Sequence, residues 1–107
     1  MKYFVSLPIN SRPEKNFIKK FNAAKKHSLD IKKYIQTYID EKAEIITPFD
    51  FSYATMPEPE AVGKCINHLL ECDAIVLEHH WRNSKGCRLE QAAAVLYGKG
   101  IFELPEF

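Results

Sequence analysis

Hydrophobic residues follow two patterns along this chain, and the two patterns alternate. Short runs rich in β-branched and aromatic residues predict strands at Lys2–Leu7, Ala43–Thr47, Ala74–Leu77 and Ile101–Leu104. Longer stretches, in which apolar residues recur every three or four positions, predict helices from Ser11 to about Glu41, from Pro59 to Glu71 and from Cys87 to Tyr97. Alternating strands and helices favour a parallel sheet with right-handed crossovers.

The first predicted helix is long relative to the strands. Its stripe has the spacing 4-3-4-3-4-3, with one serine in the gap: Phe17, Phe21, Ala24, Ser28, Ile31, Ile35 and Tyr38. As one rod this helix would span roughly 40 Å, whereas a strand covers about 17–20 Å. The helix must therefore break near His27 and Ser28 or overhang the sheet. An overhanging apolar seam needs a partner, so we expect a homodimer or a higher homo-oligomer.

The last predicted helix carries its apolar residues at Leu89, Ala92, Ala93 and Leu96, which we expect to face the core. Glu90 directly follows Leu89. It is therefore expected to border the buried stripe without lying in it.

We predict an α/β fold, a flavodoxin/Rossmann-like three-layer sandwich with a four- to five-stranded parallel sheet, in a single domain over residues 1–107. For four strands the flavodoxin-like order is 2-1-3-4, which places the topological switch point between the first and third strands. The loops Ser6–Arg12 and His79–Gly86 would face each other there. Ligands of open α/β sheets bind at this position.

Composition narrows the function classes. The chain has 107 residues and a net charge of +1, so no global field favours a nucleic-acid polymer or an anionic membrane. It lacks a signal-peptide pattern and a membrane-length apolar stretch. The three cysteines have no metal-type spacing and are typical of reduced thiols. We expect a cytoplasmic protein with a small-molecule partner and no cofactor.

The segment from Trp81 to Glu90 carries the densest candidate chemistry. Glu90 lies near the start of a helix, where a carboxylate is stabilised as the anion and can act as nucleophile or general base. Complementing the helix dipole is the alternative role. Ser84 and Gly86 precede the helix and would let a phosphate approach free amides, or they form a simple loop and cap.

For other side chains near the switch point, the sequence leaves two alternative roles open. Arg12 either pairs with a phosphate or lies in solvent. Trp81 either stacks on a base or packs the top of the core. Packing is favoured for two other aromatic residues, Phe49 and Phe51, while Tyr53 could add to a base-binding wall. Adjacent histidines point oppositely on an extended segment, so His79 and His80 indicate no metal site.

At these residues the chain resembles the nucleoside 2-deoxyribosyltransferase-like superfamily, which includes 2′-deoxynucleoside 5′-monophosphate N-glycosidases. The resemblance covers most of the chain. Phe4–Arg12 resembles the family's first strand and phosphate-side loop, and Leu69–Leu77 resembles the entry to its third strand. Ser84-x-Gly86-x-x-x-Glu90 is similar to the nucleophile motif, which is short but the most specific part.

The resemblance implies roles for individual residues. Glu90 matches the glutamate that attacks the anomeric carbon of the sugar. Ser84 and Arg12 match positions that hold the 5′-phosphate, and we assign Ser6, Trp81, Gly86 and Asp50 to substrate binding with them.

Two positions depart from the family pattern. The family aspartate falls eight positions before Asp73, and that position is Cys65 here. Asp50 or Glu78 would have to substitute for this acid. A phosphate-site serine in the first loop is replaced by Leu7.

Three functions follow from these residues. The first is an N-glycosidase or deoxyribosyltransferase that acts on a nucleoside or its 5′-monophosphate through Glu90. The second, which the cysteine at position 65 favours, is a catalytically impaired protein that senses or sequesters a nucleotide. The third is an assembly module that uses the seam from Phe17 to Tyr38.

Overall fold

The structure, a computed structural model, describes residues 1–106 and contains four strands and three α-helices. In chain order these elements are β1 (Lys2–Ser6), α1 (Phe17–Tyr38), β2 (Glu44–Ile46), α2 (Glu58–Leu70), β3 (Ala74–Leu77), α3 (Lys85–Leu96) and β4 (Gly100–Glu103). Short 3₁₀ turns at Pro48–Asp50 and Trp81–Asn83 follow β2 and β3. Every predicted strand and helix is present.

All strand pairs in the sheet are parallel, and the strand order is β2-β1-β3-β4. The predicted α/β, Rossmann-like fold and its switch point between β1 and β3 are therefore confirmed. Alternate residues of β1 face opposite layers because successive side chains of a strand point to opposite faces. Tyr3 and Val5 pack in the cluster that includes α1, whereas Phe4 packs in the cluster of α2 and α3. This alternation turns Ser6 toward α2 and α3.

Helix α1 is continuous and does not break near His27 and Ser28. It begins at Phe17, not at Ser11, because Asn16 is its N-cap and accepts a hydrogen bond from the backbone N–H of Lys19 at 2.9 Å. Its 22 residues make a rod of about 33 Å, as long as the 34 Å longest extent of the molecule. The middle of the seam is buried, and Ala24, Ile31 and Ile35 pack there against side chains of the sheet.

Helix α3 presents a different face to the core from the predicted one. Leu89 is 48% exposed and Leu96 is 81% exposed, whereas Cys87, Glu90 and Ala94 are buried. The prediction that the two leucines face inward was wrong. Glu90 consequently lies in the buried stripe and does not merely border it.

No α-helix within residues 1–106 is both long and apolar enough to cross a membrane.

Candidate functional site

The carboxyl end of β1 meets the second turn of α3 at a buried hydrogen bond. Ser6 is the last residue of β1, and its Oγ donates to Oε1 of Glu90 at 2.5 Å. Ser6 is fully buried, and Glu90 is 8% exposed. The sequence assigned Ser6 to substrate binding, and in the structure its buried hydroxyl orients the Glu90 carboxylate.

Burial changes the acidity of Glu90. Loss of solvent raises the pKa of this carboxyl from 4.5 to about 7, and hydrogen bonds from Ser6 and Cys65 oppose the rise. Near neutral pH the group therefore exchanges between a protonated and an ionised form. A carboxyl with this property suits proton transfer and also nucleophilic attack.

Two thiols flank Glu90. Cys65 of α2 makes a side-chain hydrogen bond with Glu90, and burial followed by the glutamate's charge raises the pKa of the Cys65 thiol. Burial, followed by the charge of Glu90, raises the pKa of Cys87 to about 11, while hydrogen bonds with Ser6 and Ser84 lower it. Both thiols therefore stay protonated at neutral pH. The sequence singled out Cys65 because it lies eight positions before Asp73, where the resembled family carries an aspartate. The structure adds that its thiol contacts Glu90.

A cavity of about 720 Å³ opens beside this carboxylate. It is lined by the loop after β1, by the starts of α1, α2 and α3, and by the segment between β2 and α2. Glu90, Cys65 and Cys87 all line it. The volume falls in the range of small-molecule sites, which is about 300–1,000 Å³.

The start of α3 forms one wall of the cavity. Ser84 is the N-cap, and its Oγ accepts a hydrogen bond from the backbone N–H of Cys87 at 3.2 Å. Lys85 and Gly86 follow it in the lining. A Cβ at Gly86 would lie 3.8 Å from Ser84 Oγ, an ordinary contact, so the glycine leaves room for a ligand but is not required by packing.

Arg12 does not line this cavity. It lines a smaller cleft of about 210 Å³ with Glu78, His79 and His80, and its Nε lies 3.7 Å from Glu14. This geometry does not bring Arg12 together with Glu90. The predicted phosphate contact of Arg12 therefore has no support at the main cavity.

Trp81 and Asp50 also lie outside the cavity lining. Trp81 is 8% exposed and packs in the α2 and α3 cluster, with the Arg82 guanidinium 4.5 Å from its ring centroid. The Trp81 ring thus packs in the core, which was the alternative to stacking on a base. Asp50 accepts a hydrogen bond from the backbone N–H of Thr47 at 2.7 Å and so stabilises a turn.

Phe49 and Phe51, for which packing was favoured, do pack against other rings, whereas Tyr53 lies at the cavity. Phe49 packs edge-on against Phe21 with ring centroids 5.0 Å apart, and Phe51 stacks on His68 at 4.2 Å. Tyr53 lines the cavity and is 57% exposed. Sequence reasoning missed Phe17 as a lining residue, because its place in the helical stripe pointed to the core.

Lys85 and Glu58 at the cavity rim were missed as well. Lys85 occupies an unspecified position of the Ser84-x-Gly86-x-x-x-Glu90 motif, and Glu58 belongs to no pattern that marks a site. Among the residues that the structure describes, no group of three or more metal-ligating side chains is arranged to hold an ion.

Residues 1–103 match a protein family described as a domain of unknown function, DUF4406. The chain belongs to this family. No curated protein matches the chain. Among solved structures it is similar to a 2-desoxiribosyltransferase from Leishmania mexicana, with 16% identity and a TM-score of 0.66. The alignment covers 96% of this chain and 63% of the other, so the chain spans less than two thirds of that enzyme. The likeness establishes the nucleoside 2-deoxyribosyltransferase-like fold.

Proposed function

We propose that this protein cleaves the N-glycosidic bond of a nucleoside or its 5′-monophosphate, with Glu90 as the nucleophile. One observation carries the proposal: a buried glutamate, hydrogen-bonded by Ser6, lines a cavity at the carboxyl ends of the central strands. Ligands bind at this place in open parallel sheets. The fold shared with a 2-desoxiribosyltransferase supports the same class of substrate.

The geometry suits a double displacement. Ser6 fixes one oxygen of the Glu90 carboxylate, so the group presents a defined face to the anomeric carbon of a bound sugar. Attack by the carboxylate gives a glycosyl ester, and water or a second base resolves it. The carboxylate charge also stabilises a transition state of oxocarbenium type.

Substrate contacts follow from the cavity walls. The exposed ring of Tyr53 offers a stacking surface for the base. Ser84, Lys85 and Gly86 lie at the positive end of the α3 dipole, where an anionic 5′-phosphate or a sugar hydroxyl is stabilised.

Base release tests this function. The protein is incubated with nucleosides and with their 5′-monophosphates, in ribose and deoxyribose forms, and free base is separated by chromatography. Release by the native protein and none by a folded Glu90→Gln variant is expected. Equal release by both proteins, or no release from any of these compounds, contradicts the proposal.

A nucleotide-binding role without turnover is the second candidate, and Cys65 favours it. Its thiol contacts Glu90 at the position where the resembled enzymes carry an acid. This role predicts that a nucleotide raises the melting temperature while no base is released. Thermal shift and chromatography on the same samples separate the two functions.

A further inference from the structure

The cavity beside Glu90 combines carboxylates, exposed aromatic rings and a protonated thiol. Resting on the glycosidase function proposed above, we propose that the preferred substrates are N-glycosides whose base carries a positive charge. Pyridinium nucleosides and 7-alkylated purine nucleosides represent this class. Such a base leaves as a neutral molecule, so its departure needs no proton from the protein.

Departure of a neutral base is harder because the base leaves as an anion unless an acid protonates it. Ser6 already donates its hydroxyl proton to Glu90. The Cys65 thiol contacts the same carboxyl, but burial raises its pKa, so it holds its proton tightly and is a poor acid. Within residues 1–106, no histidine and no aspartate lines the cavity.

The charged side chains in the cavity lining favour a cationic base near Glu90. Glu58 and Glu90 are two carboxylates of its lining, and Lys85 offsets one of them. When Glu90 is ionised, one negative charge remains uncompensated among these three groups. A cationic base next to Glu90 also stabilises the ionised carboxylate and so offsets the desolvation that raises its pKa.

Aromatic rings complete a site of this kind. Phe17 and Tyr53 line the same cavity and are 40% and 57% exposed. The face of an aromatic ring attracts an organic cation, and the attraction strengthens where water is displaced. A flat, positively charged heterocycle can stack on these rings while its charge is balanced by the carboxylates.

The reaction balances without an added acid or oxidant. An oxygen of Glu90 forms a bond to the anomeric carbon, and the bond from that carbon to the ring nitrogen breaks. Its electron pair goes to the positively charged ring, which leaves neutral. Water then displaces Glu90 from the sugar, which restores the carboxylate and releases one proton to solvent.

Matched pairs of compounds test the preference. The enzymatic rate for 7-methylguanosine is divided by its spontaneous rate in the same buffer, and guanosine is treated identically, in ribose and deoxyribose forms. This ratio removes the greater intrinsic reactivity of the charged compound. The enhancement is expected to be at least about tenfold larger for the charged nucleoside, equivalent to about 1.4 kcal/mol of transition-state stabilisation.

Binding gives a second readout that does not depend on turnover. Calorimetry compares 1-methylnicotinamide, a cation, with neutral nicotinamide of nearly the same shape. The cation is expected to bind at least about tenfold more tightly, and Glu58→Gln is expected to reduce this difference. Equal affinities and equal rate enhancements overturn the preference but leave the glycosidase function standing. Absence of base release from every compound overturns the glycosidase function and the preference together.

Cys65→Asp supplies the missing acid and should shift the preference toward neutral nucleosides. The ratio of rate enhancements, guanosine over 7-methylguanosine, is expected to rise about tenfold. Cys65→Ser is the matched control, because it keeps a neutral group of similar size and should leave the ratio unchanged. An unchanged ratio in a folded Cys65→Asp protein contradicts the proposal. If that variant does not fold, the calorimetric comparison on the native protein decides.

Discussion

Glu90 is the residue at which burial and proposed chemistry conflict. Its carboxyl group lies on the buried face of α3, and the residue is only 8% exposed. Burying a carboxylate costs free energy, so the protonated form is favoured in the folded state and the pKa rises to about 7. A nucleophile, however, must be ionised. The folded protein therefore tolerates a destabilising group at the position where the proposed reaction needs it.

Glu90→Gln is expected to change how stability depends on pH. A carboxyl with a raised folded pKa stabilises the fold below its ordinary value of 4.5, and this contribution is lost as pH rises through about 7. The native protein should therefore lose about 3 kcal/mol of unfolding free energy across this range through this one group. The glutamine variant should lack that loss. Urea unfolding at pH 5 and pH 8 measures most of this loss, and identical pH dependence in the two proteins would show that Glu90 titrates normally.

Ser6→Ala is expected to move the pH dependence of activity. The Ser6 hydroxyl stabilises the ionised form of Glu90, so its loss should raise the pKa of this carboxyl above about 7. The rising limb of kcat/KM against pH should move up by about one to two pH units, because a hydrogen bond to a charged group contributes about 1.5–3 kcal/mol.

Ser28→Ala is the control for this experiment. Ser28 is also buried, but its hydroxyl donates to the Lys25 carbonyl within α1. Its loss should leave the pH profile in place. A profile that stays fixed in Ser6→Ala, or moves equally in both variants, would argue against a positioning role for Ser6.

Helix α3 combines a structural cap with a wall of the candidate site. Replacing Ser84 by alanine removes the cap hydrogen bond to the Cys87 N–H and should cost about 1 kcal/mol of stability. Asn16→Ala removes the equivalent cap of α1, at a residue that does not line the cavity. Both variants should melt at similar temperatures, but only Ser84→Ala should lose base release or nucleotide affinity. Equal activity in the two variants would make Ser84 a cap alone.

The orientation of α3 is also where the sequence pattern misled. Leu89 and Leu96 form an apolar pattern that is typical of a buried face, yet both lie on the surface. The buried side of the helix is made of Cys87, Glu90 and Ala94, whose small or polar side chains give a weak periodic signal. The rotation is set by contacts with α2 and with the sheet, which no local pattern contains.

Unfolding of the whole molecule can be followed by the fluorescence of its single tryptophan, Trp81. Trp81 packs in the α2 and α3 cluster and does not line the cavity. Its fluorescence should shift to the red in one transition with urea, at the same midpoint as circular dichroism, if the domain unfolds cooperatively. A saturating ligand in the cavity should leave the native emission nearly unchanged. Strong quenching by nucleoside binding would place Trp81 in the site, as base stacking requires.

Self-association stays a prediction, but its expected location has changed. The middle of the α1 seam is buried, and Tyr38 at its end is 74% exposed. Other exposed apolar side chains lie on α3 and β4, at Val95, Leu96, Ile101 and Phe102. An exposed apolar seam is therefore present only at the ends of α1, where Phe17 and Tyr38 lie.

The order of strands and helices, the parallel sheet and its switch point were all predictable from the sequence. Each of these features follows from local periodicity and from the alternation of strands and helices. For example, the predicted bounds of the third strand, Ala74–Leu77, are those of β3 in the structure. The sequence also singled out Glu90 and Cys65 by motif and spacing. Three features could be seen only in the folded chain: the contact between Glu90 and Cys65, the hydrogen bond from Ser6 to Glu90, and the separate cleft that Arg12 lines. The physical reason is that contacts between distant segments depend on the rotation and packing of whole elements, and desolvation acts only once those elements have met.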